Sequence, residues 1–199
     1  MIFKNYYCQY RNPFKKEFIE QIKKEGLKSK QEESFLGKNV HKKNLKKRKS
    51  KVSWITNPLV YEKVSPVIHQ ANKDGGWNFQ WDWNETAQFT KYGKYDFYDW
   101  HVDSPSEPYP TNDSRKGYEG KIRKLSSVLL LSEPGKDFEG GEFEMDFDSC
   151  GGEGKKIITG LNKQGSFIVF PSFVRHRVKP VTKGIRHSLV LWHLGLPWK

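Results

Sequence analysis

Apolar positions recur at helical spacing in two stretches near the N-terminus and at strand spacing after them. Asn12-Pro13 offers a helix start, with Asn able to cap and Pro suited to the first turn, and Phe14, Phe18, Ile19 and Ile22 then share one face before Gly26. The same signal returns at Asn57-Pro58, followed by Leu59, Val60, Val64, Val67, Ile68 and Ala71, and it stops at Gly75-Gly76. Pro66 is expected to kink or split this second helix. From Trp77 the period becomes two: Trp77, Phe79, Trp81 and Trp83 alternate with Asn78, Gln80 and Asp82. Seven further strands are predicted at Ala87–Tyr92, Asp96–Asp103, Leu125–Ser132, Glu142–Phe147, Ser166–Pro171, Val174–Val181 and Arg186–Leu194. Gly-containing turns separate several of them, as in Glu139-Gly140-Gly141. The pattern predicts a mainly β chain with N-terminal helices, closed as a sandwich or barrel. One long interruption, Ser104–Lys121, is rich in Ser, Pro, Asp and Tyr, the composition of a functional cover or an irregular loop.

Charge changes this picture in one place. The net charge is +12, yet residues 1–53 hold 16 Lys and Arg against 5 Asp and Glu, while the remainder holds 19 against 18. Eight of the basic side chains fall between Lys38 and Lys51 with almost nothing apolar among them, so this run reads as a solvated loop with weak, salt-sensitive affinity for nucleic acid. No apolar run reaches the roughly 20 residues of a membrane-spanning helix, and the first residues lack the apolar stretch of a signal peptide, so the expected location is the cytoplasm, away from membranes. Cys8 and Cys150 are read as unpaired thiols.

The chemistry centres on His101-Val102-Asp103, two metal-capable side chains placed by alternation on one face of a strand. Downstream, the apolar strand through Phe170-Pro171 turns at Ser172 and reaches His176, and Arg186 follows ten residues later. Two histidines and one carboxylate bound to one face of an iron leave positions open, the arrangement of non-haem Fe(II) oxygenases. An acidic cosubstrate that chelates such an iron needs a fixed cation for its far carboxylate, and the planar guanidinium of Arg186 meets that need bidentately.

These residues and their flanks resemble the 2-oxoglutarate and Fe(II)-dependent dioxygenases, within them the prolyl 4-hydroxylase group, and most nearly the bacterial PKHD-type hydroxylases. The likeness runs through Tyr92-x5-Tyr98-x2-His101-x-Asp103, Leu125–Pro134 with Phe138–Glu142, and Phe170-Pro171-Ser172 through His176-Arg177-Val178-x-Pro180 to Gly184-x-Arg186 and Trp192, with a fainter echo in Arg48-Lys49-Ser50-x-Val52-x-Trp54. It implies a double-stranded β-helix, a jelly-roll or cupin-like barrel. With the change of period after Gly76, one structural domain is expected to comprise an N-terminal helical support region, 1–76, carrying the basic loop 38–51, and a double-stranded β-helix catalytic core, 77–199. The resemblance implies His101, Asp103 and His176 as iron ligands and Arg186 and Tyr92 at 2-oxoglutarate. Where the group often has a tyrosine at the cosubstrate this chain has Leu130, so Ser126 or Ser188 is expected to donate instead. Tyr98, Arg123 and Trp192 match positions facing a peptide.

The implied cofactors are Fe(II), 2-oxoglutarate and O2, with ascorbate as accessory reductant. The implied reaction is hydroxylation of a proline-containing protein or peptide at prolyl C4, with release of succinate and CO2. Hydroxylation of another residue or of a small molecule uses the same residues, and a non-catalytic nucleic-acid-binding β-barrel is the reading from a different class. Trp77, Trp81, Trp83 and Trp100 are read as packing, as are His41, His69, His187 and His193. If 38–51 is only a solvated loop, neutralising Lys42, Lys43, Lys46 and Lys47 together leaves peptide hydroxylation unchanged and weakens only polyanion binding. A several-fold fall in rate near about 0.01 M salt, fading near about 0.1 M as the Debye length shrinks from about 30 to about 10 Å, would instead give the segment a guiding role.

Overall fold

The computed structural model describes residues 4–34, 47–152 and 154–198. In chain order the elements are β1 (Cys8–Tyr10), α1 (Lys16–Lys28), β2 (Glu32–Glu33), β3 (Arg48–Lys49), β4 (Lys51–Ile55), α2 (Pro58–Asp74), β5 (Trp83–Asn84), β6 (Ala87–Tyr92), β7 (Phe97–His101), β8 (Ile122–Leu130), β9 (Phe138–Gly140), β10 (Phe143–Asp146), β11 (Lys155–Ile157), β12 (Phe167–Pro171), β13 (Arg175–Val178), β14 (Val181–Gly184) and β15 (Arg186–Gly195). A major sheet runs β1-β12-β8-β15-β6-β4-β2 with β5 also on β15, a minor sheet runs β11-β10-β13-β7-β3, and β14 and β9 form a ribbon. The two sheets face each other as a double-stranded β-helix. None of the described helices is long and apolar enough to cross a membrane.

The central strands of the major sheet, β12, β8 and β15, are buried on both faces, so apolar residues recur on both of their sides. Leu125 and Leu129 of β8, Phe167 and Val169 of β12, and Leu189 and Leu191 of β15 pack against Phe18, Ile19 and Ile22 of α1 and Val60, Val64 and Ile68 of α2. The alternate positions, Val128, Leu130, Ile168 and Phe170, turn inward against Phe143, Met145 and Val178 of the minor sheet. Period two therefore separates the helix-facing layer from the barrel interior.

Several expectations need correction. The first helix starts three residues later than Asn12-Pro13 predicts: Asn12 takes a left-handed φ of 51° and Lys15 is the N-cap, without a side-chain bond. The second helix starts where expected, the Asn57 side chain accepting from the Leu59 amide, and it runs unbroken through Pro66. The alternating segment 77–82 is not a strand. Asn72 near the end of α2 captures it, its side chain bonding both the amide (2.9 Å) and the carbonyl (2.8 Å) of Phe79, and Asn78 has a left-handed φ of 51°. The alternation there records which rings pack, not sheet pairing. Residues 38–46 of the basic run lie outside the described residues, but its end is no solvated loop: Arg48 and Lys49 form β3 and Lys51 opens β4. The N-terminal region is more than helical support, since β1, β2 and β4 join the major sheet and β3 the minor one.

Gly26 lies inside α1, where a Cβ would overlap the Phe89 ring of β6. In an open helix Gly→Ala gains roughly 1 kcal/mol. Here Gly26→Ala is expected to lower stability by about 1–3 kcal/mol through overpacking, read as a lower denaturation midpoint at unchanged m-value.

Candidate active site

His101 ends β7 and His176 lies on β13, and the antiparallel register sets them directly opposite each other. Their ring centroids are 4.1 Å apart, with Tyr98 stacked on His101 at 3.4 Å and Phe170 edge-on to His176 at 4.8 Å. Each imidazole is aimed by its own backbone: His101 Nδ1 donates to the Asp99 carbonyl (2.8 Å) and His176 Nδ1 to the Val174 carbonyl (2.9 Å). Because a carbonyl only accepts, both Nδ1 atoms carry the hydrogen and both Nε2 lone pairs face Asp103. Those Nε2 atoms lie 3.7 and 3.6 Å from the Asp103 carboxylate oxygens, and the donor atoms of all three residues lie within 4.8 Å of one another.

Alternation along a strand is not what brings Asp103 there, because β7 stops at His101. The amides of Asp103 and Ser104 both donate to the Ser172 carbonyl at 2.9 Å, tying this loop to the turn before His176. Ser126 bonds the Asp103 carboxylate and sits 2.9 Å from the Ser172 hydroxyl. Burial, with His176 alongside, pushes His101 down to about 3. Burial alone would raise Asp103, but His176, His101, Arg123 and the Ser126 hydroxyl outweigh it and hold the carboxyl at about 2. A neutral His101 beside an ionised carboxylate matches the protonation state that metal coordination requires.

The three donors border a cavity of about 420 Å³ that also holds Tyr92, Tyr98, Arg123, Arg186, Ser188 and Trp192. Arg186 is fully buried, donates from Nη1 to Ser188 (3.2 Å), lies 5.6 Å from the centre of the Tyr92 ring and has no acidic partner among the described residues. Burial lowers its pKa, yet a guanidinium stays charged. A buried cation without an anion is costly, so this one points to an anionic ligand. Ser188 thus stands beside Arg186, whereas Ser126 is registered opposite Trp192, six residues along β15 from Arg186, and is engaged with Asp103 and Ser172.

Arg123 lines the cavity but is already held. Its Nε and Nη2 grip Glu85 bidentately (2.6 and 2.7 Å), its plane lies 3.9 Å from the centre of the Trp192 ring, and Tyr109 also donates to Glu85 (2.8 Å). Through Tyr109 the long loop after β7 is pinned to this ion pair. The sequence reading missed Glu85, which stands between two strands with nothing in the local pattern to distinguish it from a surface acid. It gave Arg48, which enters only through the faint family echo at 48–54, no role in the site. That residue is 7% exposed, bonds Ser50 and lies 4.5 Å over the Tyr98 ring in the same cavity.

The family model described as the 2OG-Fe(II) oxygenase superfamily matches residues 87–194, which contain all four of His101, Asp103, His176 and Arg186. The chain belongs to this superfamily. The family implies Fe(II), 2-oxoglutarate and O2 as cofactors, and the donor set and the unpaired Arg186 fit the first two. Among curated relatives, the PKHD-type hydroxylase YbiX of Shigella sonnei (strain Ss046) is 32% identical over 108 residues, 54% of this chain. A PKHD-type hydroxylase of Pseudomonas fluorescens is 32% identical over 109 residues. The matches span 42% and 41% of those proteins' lengths. Among solved structures, a Pseudomonas putida prolyl-4-hydroxylase superposes with a TM-score of 0.70 at 19% identity, covering 96% of this chain and 93% of that one. A Trichoplax adhaerens prolyl hydroxylase in complex with a hypoxia inducible factor peptide fragment gives 0.67 at 17%, covering 96% and 84%. At these identities the superpositions establish the shared fold.

Removing Glu85 would leave the Arg123 guanidinium unpaired. Glu85→Ala is expected to destabilise the protein toward the lower end of the roughly 3–5 kcal/mol typical of a broken buried pair, because the Arg123 side chain keeps 21% of its surface in solvent. Thermal melts of Glu85→Ala and Glu85→Gln test this, with the Gln variant, which retains an acceptor for Tyr109, losing less.

Proposed function

We propose that the chain is a 2-oxoglutarate- and Fe(II)-dependent dioxygenase that hydroxylates a protein substrate, at a prolyl residue. The observation that carries this reading is the placement of a two-histidine, one-carboxylate donor set and an unpaired, fully buried arginine in one cavity. His101, Asp103 and His176 would hold the iron through the two Nε2 atoms and the Asp103 carboxylate. Arg186, with Ser188 and Tyr92 beside it, would take the far carboxylate of 2-oxoglutarate. Bound together, the iron and 2-oxoglutarate supply the oxidising chemistry, in which O2 is consumed, 2-oxoglutarate leaves as succinate and CO2, and one oxygen atom enters a substrate C–H bond.

The protein's contribution is orientation and exclusion of water. The Nδ1 bonds to Asp99 and Val174 fix both imidazoles before any metal arrives, while the Ser172 carbonyl holds the Asp103 backbone amide and the Ser126 hydroxyl its carboxylate. Val128, Phe143, Val178 and Val190 give the cavity apolar walls. Tyr98 and Trp192 flank the donor set as surfaces for a substrate ring, and Arg123, committed to Glu85, shapes that wall. A peptide substrate is supported by the fold shared with prolyl hydroxylases, one of them in complex with a peptide fragment, and by the relatives named PKHD-type hydroxylases.

The test is incubation with Fe(II), 2-oxoglutarate and a peptide library, followed by mass spectrometry for peptides that gain one oxygen atom. Gain at proline is expected; succinate release with oxygen gain confined to another residue would retain the dioxygenase and overturn prolyl specificity. His101→Ala or Asp103→Ala should abolish succinate production and Mn(II) binding followed by electron paramagnetic resonance. Arg186→Ala should bind 2-oxoglutarate at least tenfold more weakly, about 1.4 kcal/mol, and leave Mn(II) binding unchanged. An unchanged affinity for 2-oxoglutarate would remove the cosubstrate from Arg186.

A further inference from the structure

Arg123 and Lys124 are neighbours on β8 that line different cavities. The β8–β15 register jumps between the pairs His193↔Leu125 and Leu194↔Arg123, leaving Lys124 as the extra residue of a bulge. Bulges re-aim side chains. Here Arg123 lines the cavity of the metal donors, and Lys124 lines a separate groove of about 1100 Å³. The groove is walled by Trp77, Phe79, Trp81, Phe173 and Trp198. Phe79 stands edge-on to Trp198 at 4.3 Å, and Trp198, with 46% of its surface exposed, presents its indole to the open space, while Trp77 and Phe79 are buried behind it.

Lys124 is 4% exposed, and its ammonium lies 3.3 Å from the centre of the Trp198 ring. No carboxylate pairs with it among the described residues. Asp82, the acid on the groove wall, is taken by Lys121 at 2.8 Å. The indole face offsets part of the cost of burying the ammonium, and a carboxylate would offset far more. Burial pushes Lys124 down to about 8, so it remains charged at pH 7.

We propose that this groove is a second ligand site, distinct from the Arg186 cavity, that takes a small aromatic carboxylate: a planar ring among Phe79, Phe173 and Trp198, its carboxylate on Lys124. A neutral ring would leave the ammonium without an anion. A small polar anion would leave the aromatic walls uncovered. The site also adjoins the metal donors through the chain, because Phe173 stands between Ser172, whose carbonyl holds Asp103, and Val174, whose carbonyl holds His176.

The test uses indole-3-acetate and its uncharged analogue indole-3-acetamide as probes, titrated calorimetrically into the full chain with 2-oxoglutarate in excess. The carboxylate is expected to bind at least tenfold more tightly than the amide. Lys124→Met should erase that preference, Lys124→Arg should keep it, and Trp198→Ala should weaken both probes severalfold. Equal binding of the two probes, no binding, or a preference that survives in Lys124→Met overturns the proposal. So does displacement of the carboxylate by 2-oxoglutarate, which would place it on Arg186. If Lys124→Met fails to fold, Trp198→Ala decides: unchanged affinity for both probes overturns the site.

Discussion

The pairing of β8 with β15 is the constraint on which the rest of the structure depends. It runs from Ser188↔Leu130 to Gly195↔Ile122, and both strands are buried almost throughout. Neither face can be left to water, so each needs its own cover. Leucines at alternate positions demand the two helices on the outside. The intervening positions demand an opposing sheet, and that sheet is β10, β13 and β7. The barrel is thus the consequence of a strand pair with no solvent-facing side.

Between those sheets the interior is not uniformly apolar, and its polar residues are sorted by whether they have partners. Ser126, Ser172 and Asp103 satisfy one another; Glu85, Arg123 and Tyr109 do the same. Arg186 has only a serine hydroxyl, and the indole N–H of Trp192 in the same cavity has no partner among the described residues. In a protein interior, groups without partners are the ones whose partner arrives from outside. This sorting separates residues that build the cavity from those that await a ligand, although both kinds are charged and buried.

How much of this was legible in the sequence depended on whether the determining contact is local. His101, His176 and Arg186 were found because each lies on or at the end of a strand whose apolar pattern is strong. Asp103 was found by alternation, although what places it is the carbonyl of Ser172, a residue almost seventy positions away. The alternating rings of 77–83 imitated a strand because Asn72 folds them onto the end of α2, a side-chain bond that periodicity does not register. Arg48 was marked only by a faint family echo: in a run of eight basic residues charge alone does not show which one turns inward. Glu85 was invisible for the same reason in reverse, since its partner Arg123 lies 38 residues further on and only the fold brings them together.

The two imidazoles have a common device with a mechanical meaning. Each donates its Nδ1 hydrogen to the carbonyl two residues before it on its own chain segment, Asp99 for His101 and Val174 for His176. The direction in which each ring points is therefore set within three residues and does not pass through the neighbouring strand. If the pairing of β7 with β13 loosens, the distance between the two Nε2 atoms changes but their aim does not. The gap between β7 and β13 becomes the one adjustable dimension of the pair, and a tripeptide geometry that keeps its bearing in this way is the kind of part that can be carried into another antiparallel pair without bringing the rest of the barrel along.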